Sequence, residues 1–413
     1  MWKILLEEFY GDLMAQKTRA ALTIFAIAWG TLAIILMLAE GEGLKRTLIR
    51  GTLGAGQWIV QVYGGETAIP FEGLPRGRRI RLVEEDLEVI KRSIPEVDMV
   101  SPSYGRSVTL TSGSLRTRTF LEGVYPPFEE LRTMYPASGG RFLNQRDLDE
   151  QRRVVFLGDS IAARLFPGQD PIGQTVMIDD VPFTVVGTMV GKFQMSMNNG
   201  PDADRAIIPA STHRAMYGDQ YVWSLLIRPR SRVETPIVKE RIYEVLGRKY
   251  RFDPKDERAL SVWDMVRMAE IQEKIGLGIQ IFLGVVGGLT LLVAGVGVAN
   301  IMYVTVREKT REIGTKLAVG ARRWHIMAQF IFEAVALAMI GGGLGFGIAA
   351  AIIALVSSIP ASNMGMEFLL NPVISKPIGF GVVGILMVIG VLAGLFPARR
   401  AAHLDPVESL RYE

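Results

Sequence analysis

The stretch that decides the fold of this chain is residues 307–325, REKTREIGTKLAVGARRWH, which lies between two of the longest apolar runs in the sequence. Only Glu308 and Glu312 balance its six cations, which are Arg307, Lys309, Arg311, Lys316, Arg322 and Arg323. Lysine and arginine next to long apolar runs are typical of loops on the cytoplasmic side of a membrane. The stretch therefore predicts a cytoplasmic loop between two membrane spans.

Four apolar runs are long enough to cross a bilayer as helices. A hydrocarbon core of ~30 Å needs about 20 helical residues, and the runs contain uncharged stretches of that length. The alternative, buried helices of a large soluble core, would not be expected to give four such runs. The predicted boundaries are 1–19 for an interfacial amphipathic helix, 20–56 and 265–306 for the first two spans with their outside extensions, 307–327 for the cytoplasmic segment, 328–359 and 377–398 for the last two spans, 360–376 for a short outside loop, and 399–413 for a cytoplasmic tail.

The distribution of lysine and arginine around these spans predicts their orientation. The cations gather in 307–327, in 399–413 and just before the first span, whereas the loop between the last two spans has only Lys376. By the positive-inside rule, both termini and the segment 307–327 are cytoplasmic. Residues 40–274 are then extracytoplasmic, and the chain is a multi-pass membrane protein.

The segment outside the membrane has a mixed α/β pattern. Short apolar strands alternate with helices between residues 57 and 264, and a Gly/Asn/Met-rich loop covers 192–200. A β-α-β-β pattern at the start and a strand-helix-strand pattern at the end bracket a central block. We therefore predict a split domain, 57–130 with 216–264, that holds an inserted domain, 131–215. The expected fold class is a membrane protein with four transmembrane α-helices and a large α+β extracytoplasmic domain.

Several classes of function are excluded by missing motifs. The 413 residues contain no cysteine, no H-E-x-x-H pair, no G-x-S-x-G elbow and no G-x-x-x-x-G-K-[ST] phosphate loop. A net charge of +4 without aromatics interleaved in a basic run gives no sign of nucleic-acid binding. We therefore expect a non-catalytic protein without a metal site or a bound cofactor of its own.

Small residues in the spans predict close helix packing. Glycine pairs four residues apart let helix backbones approach where lipid offers no hydrophobic drive. The packing residues predicted on this ground are Gly284, Gly288, Gly341, Gly345, Gly390 and Gly394. Glu333 is the one acid close to the third apolar run, and we expect it to snorkel to the cytoplasmic interface rather than to mark an ion path.

Three stretches together resemble one family, the MacB/FtsX-type ABC permeases, also called type VII or mechanotransmission permeases. The resemblance covers nearly the whole chain and lies in VREKTREIGTKLAVGARRWHIMAQFIFEAV (306–335), GGRFLNQRDLDEQRRVVFLGDSIAARLFPGQDPIGQTVMIDDVPFTVVGTM (139–189) and LFPARRAAHLDPVESLRYE (395–413). It is greatest for MacB-like members with a periplasmic core domain. In those terms the split domain corresponds to the porter domain and the insertion to the Sabre domain.

The resemblance implies a coupling helix that docks on a separate ATPase chain. Two copies of that ATPase, which bind ATP and magnesium, would serve a homodimer of this permease in membrane lipid, with a possible periplasmic adaptor and outer-membrane duct. The family places the LAVGA stretch on the coupling helix. Carried over by motif, the contact residues are Glu312, Gly314, Lys316, Leu317, Ala318, Val319, Gly320, Ala321, Arg322 and Arg323. A lipid-facing basic loop that only obeys topology is the alternative interpretation of the same cations.

The resemblance leaves more than one function open. The leading hypothesis is ATP-driven efflux of a hydrophobic drug, peptide or lipid-like substrate. The second is a transmembrane signal that switches an extracytoplasmic cell-wall hydrolase, as FtsX-like members do, and a third is release of lipoproteins. The large outside segment favours MacB-like export, and the basic loop disfavours a plain membrane-anchored receptor.

Overall fold

The computed structural model describes residues 17–54, 58–195, 200–359 and 371–404, together with 9, 11, 14 and 56. Most of the predicted interfacial helix 1–19, most of the loop 360–376, the centre of the Met-containing loop and most of the C-terminal tail lie outside these residues. The chain divides into two compact units. We call residues 1–47 with 274–413 the spanning unit and residues 48–273 the sheet unit.

Four of the helices are long and apolar enough to cross a membrane, which confirms the predicted fold class. They are α1, α8, α10 and α11 in the chain order that follows. The α-helices are α1 Lys17–Leu53, α2 Glu85–Ser93, α3 Phe128–Leu131, α4 Gln145–Asp149, α5 Asp159–Leu165, α6 Ala210–Tyr217, α7 Thr235–Tyr250, α8 Met265–Glu308, α9 Thr310–Ala318, α10 Arg323–Ser357 and α11 Lys376–Ala402. At ~1.5 Å per residue, the 44 residues of α8 exceed the thickness of a hydrocarbon core.

The strands all belong to the sheet unit and form one sheet of nine strands. They are β1 Val60–Gly64, β2 Val97–Ser112, β3 Leu115–Val124, β4 Val154–Leu157, β5 Thr175–Ile178, β6 Val181–Thr188, β7 Arg205–Pro209, β8 Ser224–Pro229 and β9 Leu260–Asp264. The order is β3-β7-β4-β6-β5-β2-β8-β1-β9, and β3 also pairs with β2. Six strands, β2 to β7, therefore close into a ring, and β8, β1 and β9 extend from it as an open sheet.

The long strand β2 joins the ring to the open sheet. Its first half pairs with β8 and its second half with β3, while its end reaches β5. Strand β3, predicted in the split domain, also pairs in parallel with β7 of the predicted insertion. The β5–β6 turn consists of Asp179 and Asp180, both with positive φ as a two-residue type I′ hairpin requires. Apolar side chains of α2 and α7 cover the open sheet, and the ring encloses a second apolar cluster together with α5.

A buried ion cluster lies inside the sheet unit. Asp202 is fully buried and takes contacts from Arg132 at 2.5 Å, Lys192 at 2.7 Å and Arg205 at 3.3 Å. Arg205 also pairs with the buried Glu122. Burial alone would raise the pKa of Asp202, but the three cations outweigh it and hold that pKa well below its usual range. The Asp202 carboxylate is therefore charged at neutral pH.

The ion cluster anchors the chain segment that runs to the end of α1. The Lys192 ammonium donates a 2.5 Å hydrogen bond to the Arg132 carbonyl oxygen, and three residues later the Met195 amide donates to the Gly51 carbonyl oxygen at 2.9 Å. A Cβ on Gly54 would come within 2.1 Å of the Phe193 carbonyl oxygen, so only glycine allows this approach. The end of α1 is thus held against a segment that is itself fixed by buried charges.

A second buried titratable group, His213, lies on α6. Its ring stacks on Tyr104 with centroids 5.6 Å apart and lies 4.9 Å from the ring of Tyr217. Its nearest acid atom is a carboxylate oxygen of Asp219, 3.4 Å from Nδ1. Burial, aided by the charge of Arg106 and opposed by that of Asp219, lowers the pKa of His213 to about 4. The ring is therefore neutral at pH 7.

Candidate coupling site

The helix α9 is separated from α8 by a break at Lys309. Lys309 has φ −91° and ψ 8°, outside helical geometry, although its amide still donates to the Thr305 carbonyl oxygen at 3.0 Å. The hydroxyl of Thr310 donates to carbonyl oxygens of the last turn of α8. A threonine that competes for helix carbonyl oxygens favours a bend, and α9 begins directly after this break as a helix of nine residues.

One face of α9 is buried and the opposite face is exposed. Ile313 belongs to the same apolar cluster as Val306, Ile326 and Ala398, and Leu317 packs against that cluster. Gly314 is buried beside Ile313, whereas Glu312 and Ala318 are exposed. An amphipathic helix held along one face on the spanning helices presents its other face as a fixed surface. The pattern is what a docking helix needs.

The helix α9 ends earlier than the family resemblance implied. Of the LAVGA stretch only Leu317 and Ala318 are helical, and Val319, Gly320 and Ala321 form the turn that follows. Gly320 has φ +100°, the Ala321 amide donates to the Lys316 carbonyl oxygen, and the Gly320 amide donates to that of Leu317. These bonds close a helix end around a left-handed glycine. The expectation that the whole stretch lies on the coupling helix is therefore wrong.

The turn forms an exposed apolar tip with cations beside it. Val319 is 85% exposed, and Arg322 and Arg323, at the start of α10, are exposed as well. Trp324 is half-exposed, and its ring lies 4.1 Å from that of His325. Trp324 is not among the residues predicted from the sequence, although its position directly after two arginines was the available signal. We call Ala318 to Trp324 the coupling tip.

A chain of polar side chains runs from α9 into α10. The Lys316 ammonium lies 3.0 Å from a Glu312 carboxylate oxygen and 3.4 Å from the Gln329 side-chain oxygen. The Gln329 amide nitrogen then donates to Glu333 at 3.4 Å. Glu333 is only 4% exposed and packs inside the spanning unit. The expected snorkelling of Glu333 is therefore wrong, since a bonded position inside the bundle was available to it.

Four of the predicted glycines lie at close helix contacts. A Cβ on Gly341 would be 2.8 Å from Ile27 Cβ of α1, and a Cβ on Gly345 would be 2.4 Å from the Ala28 carbonyl oxygen. A Cβ on Gly390 of α11 would lie 3.1 Å from an alanine methyl group of α10, and a Cβ on Gly394 would lie 2.8 Å from another. These glycines allow α10 to contact α1 on one side and α11 on the other.

The glycine pair predicted in α8 makes no unusually close contact among the described residues of the chain. A Cβ on Gly284 would touch Leu38 only at an ordinary 3.5 Å, and one on Gly288 would have no neighbour within 4 Å among the described residues. Gly287, which the sequence analysis did not select, is the one that faces α1, with Ile34 Cγ1 at 2.7 Å. Adjacent glycines differ by about 100° around a helix, and spacing alone does not say which of them meets a neighbour.

The described residues show a surface for docking rather than a centre for chemistry. Among them, no group of three or more histidine or acidic side chains is placed to hold a metal ion. The coupling tip combines a small apolar turn, two arginines and a tryptophan, and it has a rigid base. Such a combination suits a protein partner whose surface offers a groove with acidic residues.

Comparison with known proteins gives matches to two family models. Residues 20–245 match the MacB-like periplasmic core domain, and residues 284–406 match the FtsX-like permease C-terminal region. The "Macrolide export ATP-binding/permease protein MacB" of Rhodospirillum rubrum is 31% identical over 97% of this chain and 59% of the relative. The "Pyoverdine export ATP-binding/permease protein PvdT" of Pseudomonas putida is 30% identical over 96% of this chain and 58% of the relative. The chain thus spans about three-fifths of the length of these curated relatives.

Solved structures resemble about half of the chain. The periplasmic region of MacB from Actinobacillus actinomycetemcomitans has a TM-score of 0.42 and 19% identity, and it covers 53% of this chain and 94% of that one. The extracellular domain of the noncanonic ABC-type transporter YknZ from Gram-positive bacteria has a TM-score of 0.41 and 16% identity. It covers 50% of this chain and 100% of its own.

Proposed function

Because this chain belongs to the family of MacB-like, FtsX-type ABC transporter permeases, we propose that it couples ATP hydrolysis by an ABC ATPase to movement of its extracytoplasmic domain and thereby drives export. We propose the ATPase, with its ATP and magnesium, as a separate chain in two copies, which is what the family resemblance implies. A homodimer of this permease in the inner membrane would complete the assembly, with both termini cytoplasmic.

The substrate class that we propose is a hydrophobic or amphipathic small molecule, peptide or lipid-like compound. The relatives are named for macrolide and for pyoverdine export, which supports export over signalling to a cell-wall hydrolase or lipoprotein release. A periplasmic adaptor and an outer-membrane duct would carry the substrate onward.

The observation that carries the proposal is the coupling tip. Its exposed apolar turn stands on a helix whose inner face is fixed to the spanning bundle by Ile313. Force applied to the tip by a partner would therefore reach the spanning helices. Positive charge alone would be enough to keep a loop on the cytoplasmic side of the membrane. A buried helix face, a closed helix end and a half-exposed tryptophan are not required for that role.

The test uses two valines of equal exposure. Val319 in the coupling tip is 85% exposed, and Val233 in the sheet unit is 83% exposed, so Val319→Asp and Val233→Asp introduce the same charge at surface positions. Permease-dependent ATP turnover and complex formation would be measured with co-expressed ATPase in nanodiscs. Loss of one buried apolar contact and burial of a carboxylate predict at least tenfold weaker assembly for Val319→Asp. Val233→Asp should match the wild type.

Two results would contradict the proposal. If Val319→Asp assembles with the ATPase and supports turnover as the wild type does, the coupling tip is not the docking surface. If the wild-type permease neither binds the ATPase nor changes its turnover, the assignment of this partner is wrong.

A further inference from the structure

A pocket of about 350 Å³ lies at the surface of the sheet unit, beside the end of β1. Its walls are Tyr63 of β1, the segment 79–82 and the segment 221–223. Backbone hydrogen bonds fix these walls: the Ile80 amide donates to the Gly65 carbonyl oxygen at 2.9 Å, and the Val222 amide donates to that of Leu82 at 3.0 Å. The pocket is therefore part of the folded framework and not a gap between loose loops.

Two arginines stand at this pocket without acidic partners. Arg79 and Arg81 are both exposed, and among the described residues neither forms an ion pair. Glu66 lies opposite Arg79 across an isolated β-bridge, but the two side chains form no ion pair. The Arg81 guanidinium instead lies 5.0 Å from the centroid of the Tyr221 ring. The pocket thus has two positive charges that no carboxylate of the described chain neutralises.

Aromatic side chains at the same pocket are unusually exposed. Tyr221 is 45% exposed and Trp223 is 46% exposed. Trp223 is held edge-on by Tyr63, with ring centroids 6.4 Å apart, and by Phe120 at 6.2 Å. A fixed tryptophan that keeps nearly half of its surface in solvent offers apolar area at little cost in side-chain entropy. Large aromatic residues clustered in a concavity are a common feature of ligand sites.

Charge and shape together select one class of ligand. The arginines favour an anion, because a planar guanidinium matches a carboxylate or sulfonate group, and they disfavour a cation. The aromatic rings favour a flat apolar body. A volume near the lower end of the range for small-molecule sites favours a small compound or one end of a larger one.

We propose that this pocket is a binding site for amphipathic organic anions, in which Arg79 and Arg81 hold the acidic group and Tyr221 and Trp223 hold an aromatic or flat apolar body. The proposal rests on the export function proposed above, since it names the class of substrate that the outer domain would take. A solvated groove with two idle surface arginines is the competing interpretation, and it predicts no saturable binding.

The first experiment measures binding without any ATPase. The full chain in zwitterionic nanodiscs would be titrated with 6-(trifluoromethyl)-2-naphthoate, and ¹⁹F line broadening would report the bound fraction. The uncharged 6-(trifluoromethyl)-2-naphthamide serves as the control ligand, because it has the same body without the charge. We expect saturable binding of the anion and at least tenfold weaker binding of the amide, given the strength of charge-assisted hydrogen bonds.

The sequence offers a matched control for the arginines. Arg116 and Arg118 of β3 are also two residues apart and exposed, but they do not line the pocket. Arg79→Gln with Arg81→Gln should weaken binding of the anion at least tenfold and leave that of the amide unchanged. Arg116→Gln with Arg118→Gln should change neither. Trp223→Leu should weaken both ligands.

Three outcomes would overturn the site. Anion and amide could bind equally, which would indicate partition into lipid or a merely apolar contact. The control pair could lose as much affinity as the pocket pair, which would indicate a general effect of net charge. The anion could fail to saturate, which would leave only the solvated groove.

A second measurement separates the site from the proposed function. In the complex with its ATPase, a saturating anion should change ATP turnover in the wild type but not in the Arg79→Gln, Arg81→Gln variant. If the anion binds yet leaves the turnover of a functioning complex unchanged, the pocket is not a substrate site. Because binding is measured without the ATPase, failure of the coupling test does not decide this result.

Discussion

Replacement of Asp202 by asparagine tests whether the buried ion cluster holds the end of α1. The change removes one negative charge and almost no volume. Arg132, Lys192 and Arg205 all lie within 3.3 Å of the Asp202 carboxylate oxygens. In Asp202→Asn these three cations would lose the carboxylate that they share, and Glu122 would still pair with Arg205.

The expected cost follows from the burial of these charges. Removing one partner of a buried charge pair costs about 3–5 kcal/mol, because the remaining charges lose their compensation. Every ~1.4 kcal/mol is a factor of ten in an equilibrium constant. The locally opened state of this region should therefore become on the order of 10²–10³ times more populated. Asp202→Asn should lose this stability at neutral pH, since the folded-state pKa of Asp202 is depressed and the carboxylate is charged there.

Hydrogen exchange read by mass spectrometry would locate the effect. Peptides that cover Leu48 to Leu53 and residues 188–195 should exchange faster in Asp202→Asn, because the Met195 amide and the Gly51 carbonyl oxygen join these segments. The thermal midpoint of the sheet unit should also fall. Peptides of α7, which belongs to the apolar cluster on the open sheet, should change least.

A matched control lies two residues away. Asp204 forms an ion pair with Arg164 at 2.5 Å, but both side chains are well exposed. Asp204→Asn should cost no more than about 1 kcal/mol, as exposed pairs do. Equal loss in the two variants, or unchanged exchange at the end of α1 in Asp202→Asn, would show that the cluster does not hold this helix.

Two further predictions concern other parts of the chain. The folded-state pKa of His213 is about 4, below the value near 6.5 of an unfolded histidine, so the unfolded chain binds more protons between these values. The free energy of unfolding should fall by up to ~1.4 kcal/mol per pH unit as the pH drops through this window. In His213→Phe this dependence on pH should be weaker, as measured by thermal unfolding at pH 7 and pH 4.5. An equal dependence on pH in the two proteins would refute the role of His213. Gly345→Ala should destabilise the spanning unit by about 1–3 kcal/mol, since its Cβ would lie 2.4 Å from a carbonyl oxygen of α1. Gly288→Ala should be neutral or stabilising in the same thermal assay, because that position has open space, and equal effects would contradict the packing.

The spanning helices could be predicted from the sequence because the thickness of the bilayer sets the minimum length of an apolar run, whatever the rest of the fold is. The run from Ile275 to Val306 exceeds that thickness whatever it packs against, and α8 is indeed the longest helix of the described chain. The Asp179-Asp180 hairpin was predictable for a similar local reason, since a two-residue turn needs residues that tolerate positive φ.

The closed ring of strands could not be predicted in this way. Strand order depends on pairs such as β3 with β7, in which Phe120 lies opposite Arg205, 85 residues away in the chain. Alternation along a strand says which face is buried but not which strand is the neighbour. The same limit applies to Gly287 and Gly288, because spacing along a helix does not say which of two adjacent glycines meets a neighbouring helix.

The coupling segment shows a local signal that the family resemblance concealed. Gly320 after an amphipathic helix is a strong sign of a helix end, and by itself it would have placed Val319 in a turn. The resemblance instead implied that all five residues of the LAVGA stretch lie on one helix. The local rule and the structure agree, and the exposed tip that results is a sharper target for mutation than a uniform helix would be.

The buried position of Glu333 gives the coupling segment a physical link to the spans. Apolar contacts alone let helices slide in lipid, since the bilayer is as apolar as the side chains. A polar chain differs, because breaking it inside an apolar bundle leaves a donor such as the Gln329 amide without this acceptor, at a cost of about 1–3 kcal/mol. Displacement of α9 with its Lys316 must therefore either carry α10 along or break these bonds. If a partner docks on the coupling tip as proposed, these bonds give its push a route from α9 to α10.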